Sequence, residues 1–389
     1  MNNNLFLHNG FNKKQTPFYY YDVKCLIDTL TLMNQKLEPY PNFHVHYALK
    51  ANANPRILSL INSYISGVDC VSGGEIKTAI EAGFDPSDIV FAGVGKADWE
   101  IKYALECGIY CFNVESEEEL EVINSLAAQW NLVAKVALRI NPDVGAHTNA
   151  NIVTGLAENK FGISMQHMDA VIDKAFILDH VKFIGLHFHI GSQILEMNDF
   201  VALCNRINEL QDRLEAHHIN IEYINVGGGL GIDYDDPLQH PFPDFESYFS
   251  TYNKFLKVHP YQTVHFELGR SIVGQCGDLI SRVLYVKKGM NKQFAILDAG
   301  MTDLIRPALY HAHHYIENIS SELPEELYDV VGPVCESSDV FGKDIRLNWV
   351  ERGDFIAIES AGAYGESMAS CYNCRPLPKS YLSCDFDNE

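Results

Sequence analysis

Between His44 and Arg270 eight extended apolar runs alternate with helical ones. The extended runs are 44–50, 67–72, 88–93, 110–115, 135–141, 181–190, 221–228 and 263–269. Helical spacing marks 57–65, 75–82, 98–106, 117–130, 168–178, 200–217 and 245–258. An earlier helix places Val23, Leu26, Ile27, Leu30, Met33 and Leu37 on one face, and Pro41 closes it. Strands that alternate with helices pair in parallel. Eight of them, joined by short connections, predict a closed (β/α)8 barrel of the TIM type over an open sheet.

The pattern changes after Arg270. Runs at 279–286, 294–297, 328–331 and 355–358 are short and β-rich, with no comparable amphipathic helices between them. They predict a second, all-β domain, a β-sandwich or β-barrel, joined by an N-terminal strand over 16–21. The expected division is therefore 22–270 for the barrel and 1–21 with 271–389 for the β domain. One connection, Pro142 to Ser164, is too long for a routine turn and reads as a flap over the barrel mouth.

The chain has 389 residues, with 29 Lys and Arg against 51 Asp and Glu, a formal net charge of −22. That balance argues against nucleic acid or an anionic membrane as partner, though not against an anionic small molecule met by a few focused arginines. Met1-Asn2-Asn3-Asn4 lacks the basic start and apolar core of a signal peptide, and no apolar run approaches a bilayer span. The expectation is a cytoplasmic protein whose 10 cysteines are reduced thiols.

Chemistry concentrates at the strand ends, where barrels assemble their active sites. The first run ends in Lys50, a natural Schiff-base former with an aldehyde; the alternative is a solvated loop lysine. Gly227-Gly228-Gly229-Leu230-Gly231 follows the seventh run, and glycines let backbone N–H groups approach a phosphate closely. The eighth run ends Glu267-Leu268-Gly269-Arg270. Its arginine could complete a phosphate site and its carboxylate could pair with a pyridine nitrogen; a structural Glu–Arg pair is equally open. His187 and His189 share one strand face, which suits either ring stacking on a cofactor or, for His187, a satisfied core histidine. Cys335, between Val334 and Glu336-Ser337-Ser338, suits proton transfer; the alternative is an incidental cysteine in a turn. Cys371 and Cys374 have zinc-like spacing without a second pair, so no metal is expected. His311, His313 and His314 read as a polar surface cluster.

Taken in order, several pieces resemble the barrel-type (fold type III) pyridoxal-phosphate-dependent amino-acid decarboxylases, and within them those acting on diaminopimelate. They are Tyr47-Ala48-Leu49-Lys50-Ala51-Asn52, Val71-Ser72-Gly73-Gly74-Glu75, His189-Ile190-Gly191-Ser192-Gln193 and the 227–231 turn. Asp298-Ala299-Gly300-Met301, Arg306-Pro307-Ala308-Leu309-Tyr310 and Cys335-Glu336-Ser337 complete the set, which spans nearly the whole chain. The resemblance implies pyridoxal 5′-phosphate as cofactor, carried by Lys50 as an internal aldimine with His189 stacked on its ring. Ser192, Gly227, Gly228, Gly229, Gly269, Arg270 and Tyr364 would hold the phosphate and neighbouring groups, and Glu267 the ring nitrogen. Arg270, Arg306, Tyr310 and Tyr364 would bind substrate, the first three at a distal carboxylate, with Glu336 and Ser337 near the distal amine. Cys335 would donate the proton, its loop crossing into the partner's barrel in a homodimer with shared active sites.

The reaction implied is decarboxylation of meso-2,6-diaminopimelate to L-lysine and CO2. Ornithine, arginine or carboxynorspermidine decarboxylation, alanine-racemase-like chemistry and a non-catalytic pyridoxal-phosphate binder are the rivals. Leu268 stands where the family usually has proline, and Cys374 where serine is common. The Glu267–Arg270 spacing is kept, so a change of turn stiffness is the expected consequence of the first.

Overall fold

The computed structural model describes residues 10–145 and 160–386. Its contacts divide the chain into two compact units: Leu30–Gly231 with Asp244–Gly269, and the residues up to Thr29 with Ile232–Pro243 and everything from Arg270 onward.

The first unit is a closed parallel barrel. Its strands are Phe43–Ala48, Gly67–Cys70, Ile89–Phe91, Cys111–Val114, Ala134–Asn141, Val181–His187, Tyr223–Asn225 and Thr263–Leu268. Each pairs with the next in parallel, and Thr263–Leu268 returns to Phe43–Ala48 to close the ring. These strands are short and buried on both faces, which is why the sequence shows them as continuous apolar runs. Inside the barrel Val90, Cys111, Ala137, Ile184 and Tyr223 pack as one buried cluster.

Two of the crossover helices start by the same local chemistry. Ser72 Oγ accepts the Glu75 N–H at 3.1 Å and Glu75 Oε2 accepts the Val71 N–H at 2.7 Å, so Gly73–Glu81 begins where strand two ends. Ser116 and Glu119 repeat the arrangement at the head of Glu117–Gln129, at 3.2 and 2.9 Å. A side-chain oxygen and a returning carboxylate satisfy donors that a helix N-terminus otherwise leaves unpaired. The helix expected over 57–65 instead runs Pro55–Ile61, because Asn54 caps it and Pro55 supplies its first turn. Of the long connection expected to be a flap, residues 146–159 lie outside the described residues. Its far end is a strand, Ile163–Ser164, paired in parallel with Ile140 and Asn141.

The second unit is built on a mixed sheet. Gly277–Lys288 is its spine, antiparallel to Phe355–Ile358 on one side and to Gln293–Leu297 further along. Glu325–Val331 and Val340–Asn348 extend the sheet, and Ile316–Asn318 pairs with Phe355–Ile358. The N-terminal strand Phe18–Tyr21 lies antiparallel to the spine, Phe18 opposite Ile280, and parallel to Lys379–Leu382. Phe11, Phe18, Tyr20, Ile280, Phe355, Ala357 and Phe386 form its aromatic core. Its helices are short, among them Arg306–Tyr310. No helix among the described residues is long and apolar enough to cross a membrane.

Candidate active site

Lys50 sits in a single helical turn, Leu49–Ala51, that lifts the chain off the end of the first barrel strand. Its Nζ lies 3.6 Å from Oδ2 of Asp69, on the neighbouring strand. Asp69 is fully buried, and neither carboxylate oxygen has a hydrogen-bond partner among the described residues. Burial pushes its carboxyl up, Glu267 adds to that, and Lys50 opposes both. The barrel's other candidates for covalent work are poor. Lys96 donates to Gly93 O, Asn113 O and Glu119 Oε1 at 2.9, 2.8 and 2.6 Å, which uses all three of its protons. Lys77 is exposed beside Glu81.

Glu267, near the end of strand eight, is buried with its carboxylate held from three strands. Its Oε1 accepts from Asn225 Nδ2 at 2.8 Å and Asn113 Nδ2 at 3.3 Å, and Oε2 faces His187 Nε2 at 3.3 Å. Burial alone would raise this carboxyl, but His187, then Lys50 and His189, outweigh it and hold it well below the usual carboxylate range. Glu267 is therefore an anion at the barrel mouth. His187, the last residue of its strand, is the buried histidine paired to it.

His189 is partly exposed and accepts the Gly228 N–H on Nδ1 at 3.3 Å. That leaves the proton of the neutral ring on Nε2. Burial, with the Lys50 and Arg139 cations behind it, keeps its pKa well below the ordinary histidine value. A neutral, flat ring is what stacking on another ring requires. The glycine turn is shaped by close approach: a Cβ on Gly227 would lie 2.3 Å from Phe188 O, and one on Gly228 2.0 Å from Glu267 O. Gly227 and Gly229 also have φ of +73° and +113°, a region that L side chains resist. The Ser192 loop is laced to this turn by Ile194 N–H to Gly229 O and Gly231 N–H to Ile194 O, at 2.8 and 3.0 Å. Gly269 packs against Ala48 and Ala51, where a side chain would strike Ala51 Cβ at 2.9 Å.

A second buried pair flanks this group. Arg139 donates to Glu115 Oε1 at 2.7 Å, and Gly162 N–H donates to Oε2 at 2.8 Å. Arg139, Glu115, Asp69, Asn113 and Asn225 were not among the residues singled out in the sequence. Their signal was there: each is a buried polar residue in or directly after a barrel strand.

In the second unit two buried guanidiniums share one tyrosine. Arg270 Nη1 donates to Tyr234 OH at 2.7 Å and its guanidinium lies over the Tyr364 ring at 4.9 Å. Arg306 lies over the Tyr234 ring at 4.7 Å and donates Nη1–H to His314 Nε2 at 2.8 Å. Among the described residues Arg306 has no carboxylate within ion-pair distance. His314 corrects the expectation of a surface cluster: it is 1 % exposed, donates Nδ1–H to Glu359 O, and is kept neutral chiefly by burial. His311 and His313 are exposed, because the chain turns at the end of Arg306–Tyr310 and carries only His314 inward. Tyr310 and Tyr364 are partly buried.

Cys335, Glu336 and Ser337 are exposed on a loop that Asp339 ties down, accepting Val334 N–H at 2.7 Å and Met301 N–H at 2.6 Å. Glu336 accepts from Tyr372 OH at 2.6 Å. Cys371 and Cys374 are exposed thiols, and no group of three or more metal-ligating side chains occurs among the described residues.

The profile of the pyridoxal-dependent decarboxylases, pyridoxal binding domain, matches residues 26–274. Diaminopimelate decarboxylase of Bacteroides thetaiotaomicron is 70 % identical over 96 % of this chain and 97 % of its own length. The crystal structure of diaminopimelate decarboxylase from Helicobacter pylori complexed with L-lysine superposes with a TM-score of 0.90 at 41 % identity, covering 97 % of this chain and 93 % of that one. The chain belongs to the diaminopimelate decarboxylases, a branch of the pyridoxal-dependent decarboxylases. Arginine decarboxylase of Paramecium bursaria Chlorella virus, at 21 % identity and a TM-score of 0.85, shares the fold. Membership makes the chain a pyridoxal-phosphate-dependent carboxy-lyase, and the barrel residues fit that cofactor. An amine stands beside a carboxylate whose oxygens lack hydrogen bonds among the described residues, next to an ionised glutamate, a neutral imidazole and a glycine turn.

Proposed function

We propose that this chain converts meso-2,6-diaminopimelate to L-lysine and CO2, with pyridoxal 5′-phosphate carried by Lys50. The observation that carries the substrate choice is Arg306. A buried guanidinium held by a neutral histidine and a tyrosine ring keeps its charge available for an incoming carboxylate. Diaminopimelate has a second carboxylate for it; ornithine, arginine and lysine do not. The relatives named above and the L-lysine in the Helicobacter pylori complex support the same choice.

When bound, pyridoxal phosphate supplies the electron sink that lets the α-carboxylate leave. The roles of the protein follow from its own residues. Lys50 is the amine that would hold the cofactor. Glu267, held low by its cationic neighbours, would pair with the ring nitrogen and favour its protonated form, and His189 would stack on the ring. The glycine turn, through the Gly229 N–H, and Ser192 would offer donors to phosphate, a task the family resemblance extends to Arg270 and Tyr364, while Asn225 Oδ1 and His189 Nδ1 engage the Gly227 and Gly228 amides. Arg306, with Arg270 and Tyr310, takes the distal carboxylate. Glu336 takes the distal ammonium with Ser337 beside it. Cys335 delivers the proton to the substrate carbon.

Because Cys335 lies on an exposed loop, we assign it to the active site of a partner subunit in a homodimer. Two measurements test the reading together. CO2 release from a panel of diaminopimelate, ornithine, arginine and lysine should be confined to diaminopimelate, and preference for ornithine would overturn the substrate assignment. Mixing Lys50→Ala with Cys335→Ala subunits should restore part of the activity each lacks alone, and no recovery would overturn shared sites.

A further inference from the structure

The side chain of Asn225 is fully buried and has every hydrogen-bonding group of its amide engaged. One Nδ2 proton goes to Glu267 Oε1 at 2.8 Å and the other to Tyr223 OH at 2.8 Å. Its Oδ1 accepts the Gly227 N–H at 2.9 Å. One planar group thus ties the carboxylate of strand eight to the first amide of the glycine turn. Only an amide can do this. A carboxylate lacks the donors, and an apolar residue would strand Glu267, Tyr223 and Gly227 together.

We infer that Asn225 is a positioning residue that fixes the Glu267 carboxylate relative to the glycine turn by keeping its Oε1 engaged, while His187 Nε2 holds Oε2 from strand six. The inference rests on the proposed pairing of Glu267 with the ring nitrogen. Asn113 helps from the opposite strand, at the longer distance of 3.3 Å. Because Oε1 takes both amide protons, the carboxylate cannot rotate without breaking two hydrogen bonds at once. The same amide also fixes the Gly227 N–H, so the Glu267 carboxylate and the start of the glycine turn are linked through one side chain.

Two variants of the holoenzyme, reconstituted with 15N-labelled pyridoxal phosphate, test this. In wild type the ring-nitrogen resonance should be that of a protonated pyridine, and Glu267→Gln should shift it toward the unprotonated position. If wild type is unprotonated, or Glu267→Gln leaves the resonance in place, the Glu267 reading fails and the inference about Asn225 falls with it. Given those controls, Asn225→Ala should move the resonance in the same direction and lower kcat by about 10- to 100-fold, with a much smaller change in KM, as expected for losing a hydrogen bond to a charged group. Asn225→Asp, which fills the same space, covers the case where the alanine variant does not fold. Its carboxyl can donate to Glu267 only while protonated, so kcat should fall with rising pH through an ionisation that wild type lacks. A kcat within twofold of wild type for Asn225→Asp, with no added ionisation and an unmoved resonance, would overturn the assignment.

Discussion

Arg306 Nη1 donates to His314 Nε2 at 2.8 Å, a buried cation anchored by a neutral ring. The ring's other nitrogen is committed to Glu359 O, so His314 presents a lone pair to Arg306 and adds no charge. A carboxylate in its place would neutralise the guanidinium and compete with an incoming substrate.

That relationship gives a pair of expectations for substrate binding. Arg306→Ala should lower kcat/KM for diaminopimelate on the order of 100-fold, since breaking a buried arginine–carboxylate contact typically costs about 3 kcal/mol or more. His314→Asp should raise KM for diaminopimelate by about tenfold or more through internal pairing with Arg306. Both variants should keep the cofactor's visible absorption. Unchanged kinetics in both would show that the distal carboxylate is bound elsewhere.

Lys50 should be the point of covalent attachment. Borohydride reduction of the holoenzyme followed by peptide mapping should place the cofactor adduct on Lys50, and Lys50→Ala should yield none while its thermal melt stays close to wild type. Lys96 is occupied by three acceptors and Lys77 is solvated, so an adduct on either would refute the assignment.

Much of this architecture was legible because barrel strands are buried on both faces and advertise themselves as apolar runs. Lys50 and the glycine turn stood out for the same reason, as breaks at the ends of such runs. Asp69, Asn113 and Asn225 did not, although each is a polar residue inside a strand of three or four residues. What they do depends on meeting Glu267 and Lys50 across the barrel, and sequence spacing carries no record of which strands face one another inside a closed ring. His314 was misread because three neighbouring histidines suggest one environment. A tight turn after a five-residue helix gives them two.

Glu267→Gln should separate cofactor binding from turnover. The amide fills the same space and retains a hydrogen-bonding oxygen, so the cofactor should still bind. It carries no charge, so kcat should fall by about 100-fold or more while the equilibrium dialysis constant for the cofactor changes far less. Equal losses in both would assign Glu267 to holding the cofactor in place and not to its electronics.

The last expectation concerns stability and lies outside the barrel. Burial pushes the Glu359 carboxyl up to about 7, with Glu317 adding to it, and Glu359 in turn raises the buried Asp278. The ladder that pairs Leu279 with Ile358 brings these two acids side by side, and neither Asp278 Oδ2 nor Glu359 Oε1 has a hydrogen-bond partner among the described residues. A carboxyl with a raised folded-state pKa holds its proton longer in the folded protein than in the unfolded chain. Its contribution is therefore intact below the unfolded pKa of about 4.3 and is lost as pH rises through the folded value. Glu359→Gln removes that titration while keeping the shape. It should raise Tm more at pH 8 than at pH 5, by roughly 2–4 °C per kcal/mol recovered. Calorimetric scans at the two pH values give the comparison. An equal shift at both would mean that Glu359 does not carry its proton into the folded state.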